Sequence, residues 1–383
     1  QAGFFELMAQ RIITHARTPL QLLVLVSLSA GILSALFVND TICLLYTPII
    51  LDVTAQLGVA PLPYLLALAT ASNIGSVMTV TGNPQNMLIG IFSGIPYLSF
   101  LGALFPVAVM GFFVNVAIIR FVFRKDMGTA CFVHRPAISA SRVDRPLLAK
   151  SLIVCAGVLI AFSAGYPYSL SAAAGAVALM LIGGVRTERI LEGVDWTLLL
   201  FFTGLFIVMH GVEVSGLSGK MIGWAGDLSE QSLLGRIAAL SAVSALLSNV
   251  VSNVPAVMLL KPLIESLGGD RTAWLALAMS STLAGNFTLI GSVANLIVAQ
   301  QARKRVEIGF RDYFRVGALI TALSIAAGIL VLVAGAKIAH AAGGPSLAPA
   351  RPSVIEVQPD NPLSPPQRFS VVPFCATDEA RTP

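Results

Sequence analysis

The chain has 383 residues, of which 56% are hydrophobic and only 11% charged, and its mean hydropathy is +0.84. Soluble domains carry about 25% charged residues, so an ordinary cytosolic enzyme and a disordered chain are both excluded. The net charge of +5, from 24 Lys+Arg against 19 Asp+Glu, is too small and too dispersed for a nucleic-acid-binding face and reads as topogenic.

A bilayer-spanning helix needs about 20 mostly apolar residues. In chain order, the first candidate covers 20–51 and is interrupted by Asn39-Asp40-Thr41. The second covers 64–95, with interruptions at Ser72-Asn73 and at Thr81-Gly82-Asn83-Pro84. Plain apolar helices are expected at 97–123, 147–164, 168–185 and 196–210. Two further interrupted segments follow: 237–263, broken at Ser248-Asn249 and Ser252-Asn253, and 274–300, broken at Gly285-Asn286 and Gly291-Ser292. A last plain helix covers 313–336, and beyond about 341 nine prolines in 43 residues read as a disordered tail. The 33 glycines and 21 prolines suit helices that are broken on purpose. Cys43, Cys131, Cys155 and Cys375 form no CxxC pair, and the histidines lack ligand spacing, so neither a zinc site nor a disulfide framework is implied.

Two blocks of this pattern resemble each other. Ser34-Ala35-Leu36-Phe37 matches Ser244-Ala245-Leu246-Leu247, and Asn39 precedes Pro48 by nine residues as Asn253 precedes Pro262. Thr79, Gly82, Asn83 and Asn86 match Thr288, Gly291, Ser292 and Asn295 in a shared T-x-x-G-N/S-x-x-N pattern, and Ser72 aligns with Ser281. The expected organisation is a first repeat over 1–124, a basic loop with scaffold helices over 125–213, a second repeat over 214–338 and the tail over 339–383.

If 20–51 and 237–263 are re-entrant hairpins, 16 Lys/Arg share one side of the bilayer and four (Lys220, Arg236, Lys261 and Arg271) lie on the other. That bias satisfies the positive-inside rule and puts three crossings between the repeats, which inverts them. The second repeat is preceded by three apolar helices, and the first begins at Gln1. A complete duplication would therefore place about 65 further residues, with three helices, ahead of this chain. Without them the expectation is eight membrane-embedded segments rather than eleven: two hairpins, two broken helices and four or more plain spans, with an exposed apolar groove near the first hairpin.

Backbone breaks at membrane depth are tolerated where they line a cavity. Broken helices offer positive N-terminal ends to anions and free carbonyls to cations. Inverted repeats with broken helices point to a secondary transporter whose site lies at the repeat interface. The candidate binding residues are Asn39, Asp40, Thr41, Ser72, Asn73, Thr79, Gly82, Asn83 and Asn86 in the first repeat. In the second they are Ser252, Asn253, Thr288, Gly291, Ser292 and Asn295. Their amides and hydroxyls can donate to an anion or ligate Na+ with neutral oxygens. Asp40 is an intramembrane carboxylate, fit to hold a cation or carry a proton, or to cap the second hairpin helix. Asn39 and Asn253 can be ligands or caps. Asn115 and Glu213 read as isolated polar residues on scaffold helices. No cofactor is expected beyond Na+ or H+ as coupling ion. The partners are a small anionic substrate and the lipid bilayer, with no nucleic acid. No Walker, HExxH or GxSxG motif is present, and no enzymatic activity is expected.

Four segments carry a family resemblance: 34–48 (SALFVNDTICLLYTP), 72–89 (SNIGSVMTVTGNPQNMLI), 195–211 (DWTLLLFFTGLFIVMHG) and 247–262 (LSNVVSNVPAVMLLKP). Over residues 1 to about 338 the chain resembles the ion transporter superfamily. This includes divalent anion:sodium symporters, citrate-transporter-like permeases, arsenite-efflux permeases and a class of sodium/proton antiporters. The GNPQN form is nearest to the arsenite-permease-like branch. The resemblance implies an all-α polytopic membrane protein whose inverted repeats each hold a re-entrant hairpin and a broken helix. It further implies elevator-like alternating access, often within a homodimer, and placement in the cytoplasmic membrane of a bacterium. Transport of a small anion or oxyanion is the leading expectation. A cation/proton antiporter using Asp40, or an arsenite efflux permease, are the alternatives. The first tip reads Asn-Asp-Thr and the second Ser-Asn-Val-Pro, which departs from the symporters' Ser-Asn-Thr signature.

Overall fold

The uncharged runs of Leu, Ala, Val and Ile dictate helices, because only internal pairing satisfies a backbone outside water. The computed structural model describes residues 4, 7, 15–127, 132, 144–184, 194, 196–216 and 230–341. Much of the basic loops expected over 124–150 and 186–195 (residues 128–131, 133–143, 186–193 and 195), and the tail beyond 341, lie outside the described residues.

Among the described residues there are thirteen α-helices and no strand. They are α1 (Pro19–Leu36), α2 (Asn39–Leu57), α3 (Leu62–Ser76), α4 (Pro84–Ser93) and α5 (Tyr97–Val122), then α6 (Arg145–Ser163), α7 (Tyr168–Gly183) and α8 (Trp196–Val214). The remainder are α9 (Leu233–Val251), α10 (Asn253–Ser266), α11 (Arg271–Ala284), α12 (Val293–Ala302) and α13 (Phe310–Ala341), with a 3-10 turn at Leu289–Gly291. Six of them, α1, α2, α5, α6, α9 and α13, are long and apolar enough to cross a bilayer.

Elements α1–α2 and α9–α10 are the two helical hairpins, and α3/α4 and α11/α12 are the two broken helices. Among the described residues five plain helices (α5, α6, α7, α8 and α13) accompany them, within the expected four or more. The helix breaks are fewer than the sequence suggests. α3 runs through Ser72-Asn73 without interruption, and α9 runs through Ser248-Asn249. The Ser72 hydroxyl donates to the Ala69 carbonyl at 2.8 Å, and Asn249 Nδ2 donates to the Ala245 carbonyl at 3.0 Å. Polar side chains bonded back to their own helix do not break it. The first hairpin turns at Phe37-Val38, and Asn39-Asp40-Thr41 already forms the first turn of α2.

Packing in the two blocks is reciprocal. α1 lies along α3 as α9 lies along α11, α3 packs on α5 as α11 packs on α13, and α2 reaches α12 as α10 reaches α4. α5 meets α13, and α3 meets α11. Close approach at α1/α3 depends on glycine: a Cβ on Gly75 would stand 2.0 Å from the Gly31 carbonyl oxygen. α6 and α7 pack chiefly on each other, and α7 buries no residue. α1 also keeps an apolar face exposed through Leu20, Leu28, Ile32 and Leu36.

Depth follows from these contacts. The Asn39 backbone N–H donates to the Gly82 carbonyl at 3.1 Å, so the first hairpin tip meets the break between α3 and α4. The ten residues of α4 then continue for about 15 Å past that level at 1.5 Å per residue.

Candidate functional site

The breaks at 77–83 and 285–292 are tied by the same device. Asn86 Nδ2 donates to the carbonyls of Ser76 (3.1 Å), Val77 (3.3 Å) and Thr79 (3.0 Å). Asn295 Nδ2 donates to the carbonyls of Gly285 (2.7 Å) and Thr288 (3.1 Å). Each amide thereby satisfies carbonyls left free where a helix stops, and both residues are buried. Asn83 caps α4, its Oδ1 accepting from the Asn86 N–H at 2.9 Å, and Ser292 occupies the same position ahead of α12. Gly82 cannot be larger, since a Cβ there would lie 2.3 Å from the Ser76 carbonyl oxygen. Gly291 is close to that limit, with Asn249 Oδ1 and the Gly285 oxygen both 3.0 Å from an added Cβ.

The two breaks are then cross-linked. Asn73 Nδ2, on α3, donates to Asn295 Oδ1 at 3.2 Å, and the Ser292 hydroxyl donates to Asn73 Oδ1 at 3.1 Å. The mirror bonds join Thr282 on α11 to the first break: its hydroxyl donates to Asn86 Oδ1 at 3.3 Å and accepts from Asn83 Nδ2 at 3.3 Å. Gln85 Nε2 also donates to Thr282 at 3.2 Å. Asn73 is the hub, because Asn39 Nδ2 donates to its Oδ1 at 2.8 Å and its Nδ2 donates to Asn286 Oδ1 at 2.8 Å. Asn286 Nδ2 in turn donates to the Thr70 carbonyl at 3.1 Å.

The hairpins close on this cluster through two threonines. The Thr79 hydroxyl donates to the Ala35 carbonyl, and the Thr288 hydroxyl donates to Asn249 Oδ1 at 3.1 Å. Asp40 does not cap its own helix, whose N-cap is Val38. Its carboxylate faces the backbone N–H of Ala294, in the first turn of α12. An anionic side chain at a helix N-terminus is favoured by the free N–H groups and by the helix dipole. The first hairpin thus places its charge on the broken helix of the other block.

The structure brings together Asn39, Asp40, Asn73, Thr79, Gly82, Asn83, Asn86, Thr288, Gly291, Ser292 and Asn295. Ser72 belongs to a different contact, since its hydroxyl sits 3.1 Å from Cys43 Sγ and fastens α3 to α2. Thr41 is exposed and stands apart. Ser252 is exposed at the second tip with φ 77, and Asn253 is half-buried with Oδ1 unpartnered. Sequence reasoning missed Thr282, Asn286 and Gln85. The signal for Thr282 was present: the offset that aligns Asn86 with Asn295 also aligns Asn73 with Thr282. Asn115, read as an isolated scaffold residue, is buried and accepts from Thr70 Oγ1 at 2.7 Å, linking α5 to α3. Glu213 lies within α8, and its side chain lies outside the described residues.

Apolar spanning helices wrapped around a buried cluster of amides and hydroxyls, where two helices break, define a polytopic membrane transport protein. The chain belongs to the citrate transporter family, whose family model, described as "Citrate transporter", matches residues 1–276. It is 30% identical over 367 residues to the silicon efflux transporter LSI3 of Oryza sativa subsp. japonica, covering 79% of this chain and 76% of that protein. It is 32% identical over 349 residues to an uncharacterized transporter of Mycobacterium bovis, with 87% and 81% covered. The arsenical pump membrane protein of Escherichia coli is 25% identical over 342 residues, with 84% and 79% covered. The chain is an integral membrane protein and a member of a transporter family.

Proposed function

We propose that this protein is a secondary active transporter that moves a small anion or oxyanion by alternating access across a bacterial cytoplasmic membrane. The hairpins and broken helices (α1–α4 and α9–α12) form the moving unit, in two inverted repeats. α5–α8 and α13 form the scaffold, with a second copy of the chain completing a homodimer. The observation that carries this reading is the reciprocal cross-linking of the breaks, Asn73 to Asn295 and Thr282 to Asn86. It supports a single site shared by two equivalent halves, at which helix N-termini and amide donors face one volume. Asp40 supplies the charge for coupling, to Na+ or to H+, because it is a carboxylate at a hairpin tip that contacts the opposite repeat.

The side chains gathered at the breaks are neutral amides and hydroxyls, and among the described residues Asp40 is the one carboxylate with them and no Lys or Arg joins them. Among the described residues a tricarboxylate would find no cationic side chain there. This favours, as a second reading, export of a small hydroxylated oxyacid of the arsenic or silicon kind, in keeping with the names of two relatives. Uptake into proteoliposomes under separately imposed Na+ and pH gradients, with arsenite, silicic acid, citrate, succinate and sulfate as competing solutes, tests both. Saturable flux that follows one gradient supports a coupled carrier. Gradient-independent flux far above about 10³ per second would sink it and indicate a channel.

A further inference from the structure

A half-open cavity of about 920 Å³ lies away from the breaks, at one end of the bundle. The N-terminal ends of α5, α9 and α11 and the C-terminal end of α13 converge on it. Its charged lining is Arg236, Arg271 and Lys337 against a single carboxylate, Asp270. Arg236 pairs with Asp270 at 3.2 Å, and Asp270 also caps α11 through the Thr272 N–H. Arg271 gives Nη2 to the Ser99 carbonyl at 3.2 Å, and Lys337 is exposed with no ion-pair partner among the described residues. The Nε atoms of both arginines are buried without a partner. Two cationic groups therefore exceed what Asp270 neutralises.

The remaining lining is mostly apolar, with Ser99, Thr272 and His340 among it, and the exposed apolar side chains Leu98, Phe105, Leu330 and Ile338 are chain neighbours of lining residues. A topogenic origin does not explain the charge, because two of the four Lys/Arg placed on the basic-poor side of the bilayer are gathered into this one cavity. A cationic notch at helix ends, opening onto an apolar face, matches a ligand that is anionic at one end and apolar along its length.

We propose that this cavity binds the phosphodiester headgroup of an anionic phospholipid, with Arg236, Arg271 and Lys337 holding the phosphate and the acyl chains lying along α5 and α13. The guanidinium groups supply planar paired donors and the ammonium a point charge, the combination that recognises phosphate oxygens. Lipid bound there would bridge α11 of the moving unit to α5 and α13 of the scaffold.

The test uses the purified full chain titrated with phosphatidylglycerol, phosphatidylcholine or inorganic phosphate, read by native mass spectrometry and thermal unfolding. Retained phosphatidylglycerol adducts with a raised Tm, at least tenfold preferred over phosphatidylcholine, are expected. Arg271→Gln and Lys337→Glu should each weaken that binding about tenfold or more. Lys337 is exposed, so Lys337→Glu keeps the test valid if Arg271→Gln fails to fold. Equal retention of phosphatidylcholine, or unaltered phosphatidylglycerol binding in Lys337→Glu, would overturn the proposal. Displacement of the lipid by millimolar inorganic phosphate would also overturn it, marking a free-oxyanion site instead.

Discussion

At the first hairpin tip the chain turns through Phe37-Val38 in ordinary extended backbone and presents Asp40 to the N-terminus of α12. At the second it turns at Ser252, whose φ of 77 and ψ of 161 fall in a region that glycine adopts freely and other residues rarely do. Counting from the paired asparagines Asn39 and Asn253, the position of Asp40 is taken by Val254, which is buried. The helices around the two tips pack reciprocally, yet the tips differ in charge and in backbone strain. Packing symmetry and chemical symmetry are therefore separable: one arrangement of helices carries one charged hairpin tip and one neutral, strained hairpin tip. A carrier that couples a solute to an ion has use for that division.

The hub is the place to break the comparison hardest. Asn73→Leu removes four hydrogen bonds and strands polar atoms of Asn39, Asn286, Ser292 and Asn295 in a buried cluster. Each stranded group costs about 1–3 kcal/mol, so a loss of about 3 kcal/mol or more is expected, with transport at background. Its counterpart, Thr282→Val, should cost less, about 1–2 kcal/mol, since it serves fewer partners. Thermal unfolding in detergent and proteoliposome uptake measure both, and equal losses would contradict the assignment of Asn73 as hub.

Gly75 has Ala284 as its counterpart. Gly75→Ala drives a methyl into the Gly31 backbone and should cost about 1–3 kcal/mol, seen as a lowered Tm. Tolerance of that methyl would mean that the α1/α3 crossing is no tighter than α9/α11.

Asp40→Asn keeps an acceptor for the Ala294 N–H but removes the charge, so stability should change by about 0.5 kcal/mol or less. Dependence of uptake on an imposed ion gradient should vanish. Asp40→Val, which copies the second tip, should also lose the cap, at about 1 kcal/mol. Coupled transport persisting in either variant would reduce Asp40 to a helix cap.

The smallest effect on transport is expected at Ser252→Gly, which relieves backbone strain. A gain of about 1 kcal/mol in unfolding stability, with transport retained, is the expected outcome. A loss of transport together with the gain in stability would assign the strain a working role.

Hydropathy and composition were enough to read an all-helical membrane chain, because burying a backbone in hydrocarbon leaves helices as the economical solution for apolar runs of this length. The T-x-x-G-N/S-x-x-N pairing likewise located both true breaks, since Gly82 and Gly291 sit where neighbouring carbonyls exclude a side chain. Local sequence misled at Ser72-Asn73 and Ser248-Asn249, where a polar pair in an apolar run looks like a break. Only the folded helix decides whether such a side chain bonds back to its own turn, as Ser72 and Asn249 do. Thr282 was not among the candidate residues. Its role depends on the first break lying against it, some two hundred residues away in sequence. For the same reason the partner of Asp40 was not legible. A carboxylate near a helix start is assigned to its own helix by proximity along the chain, and only the docking of α2 on α12 brings the Ala294 N–H to it instead.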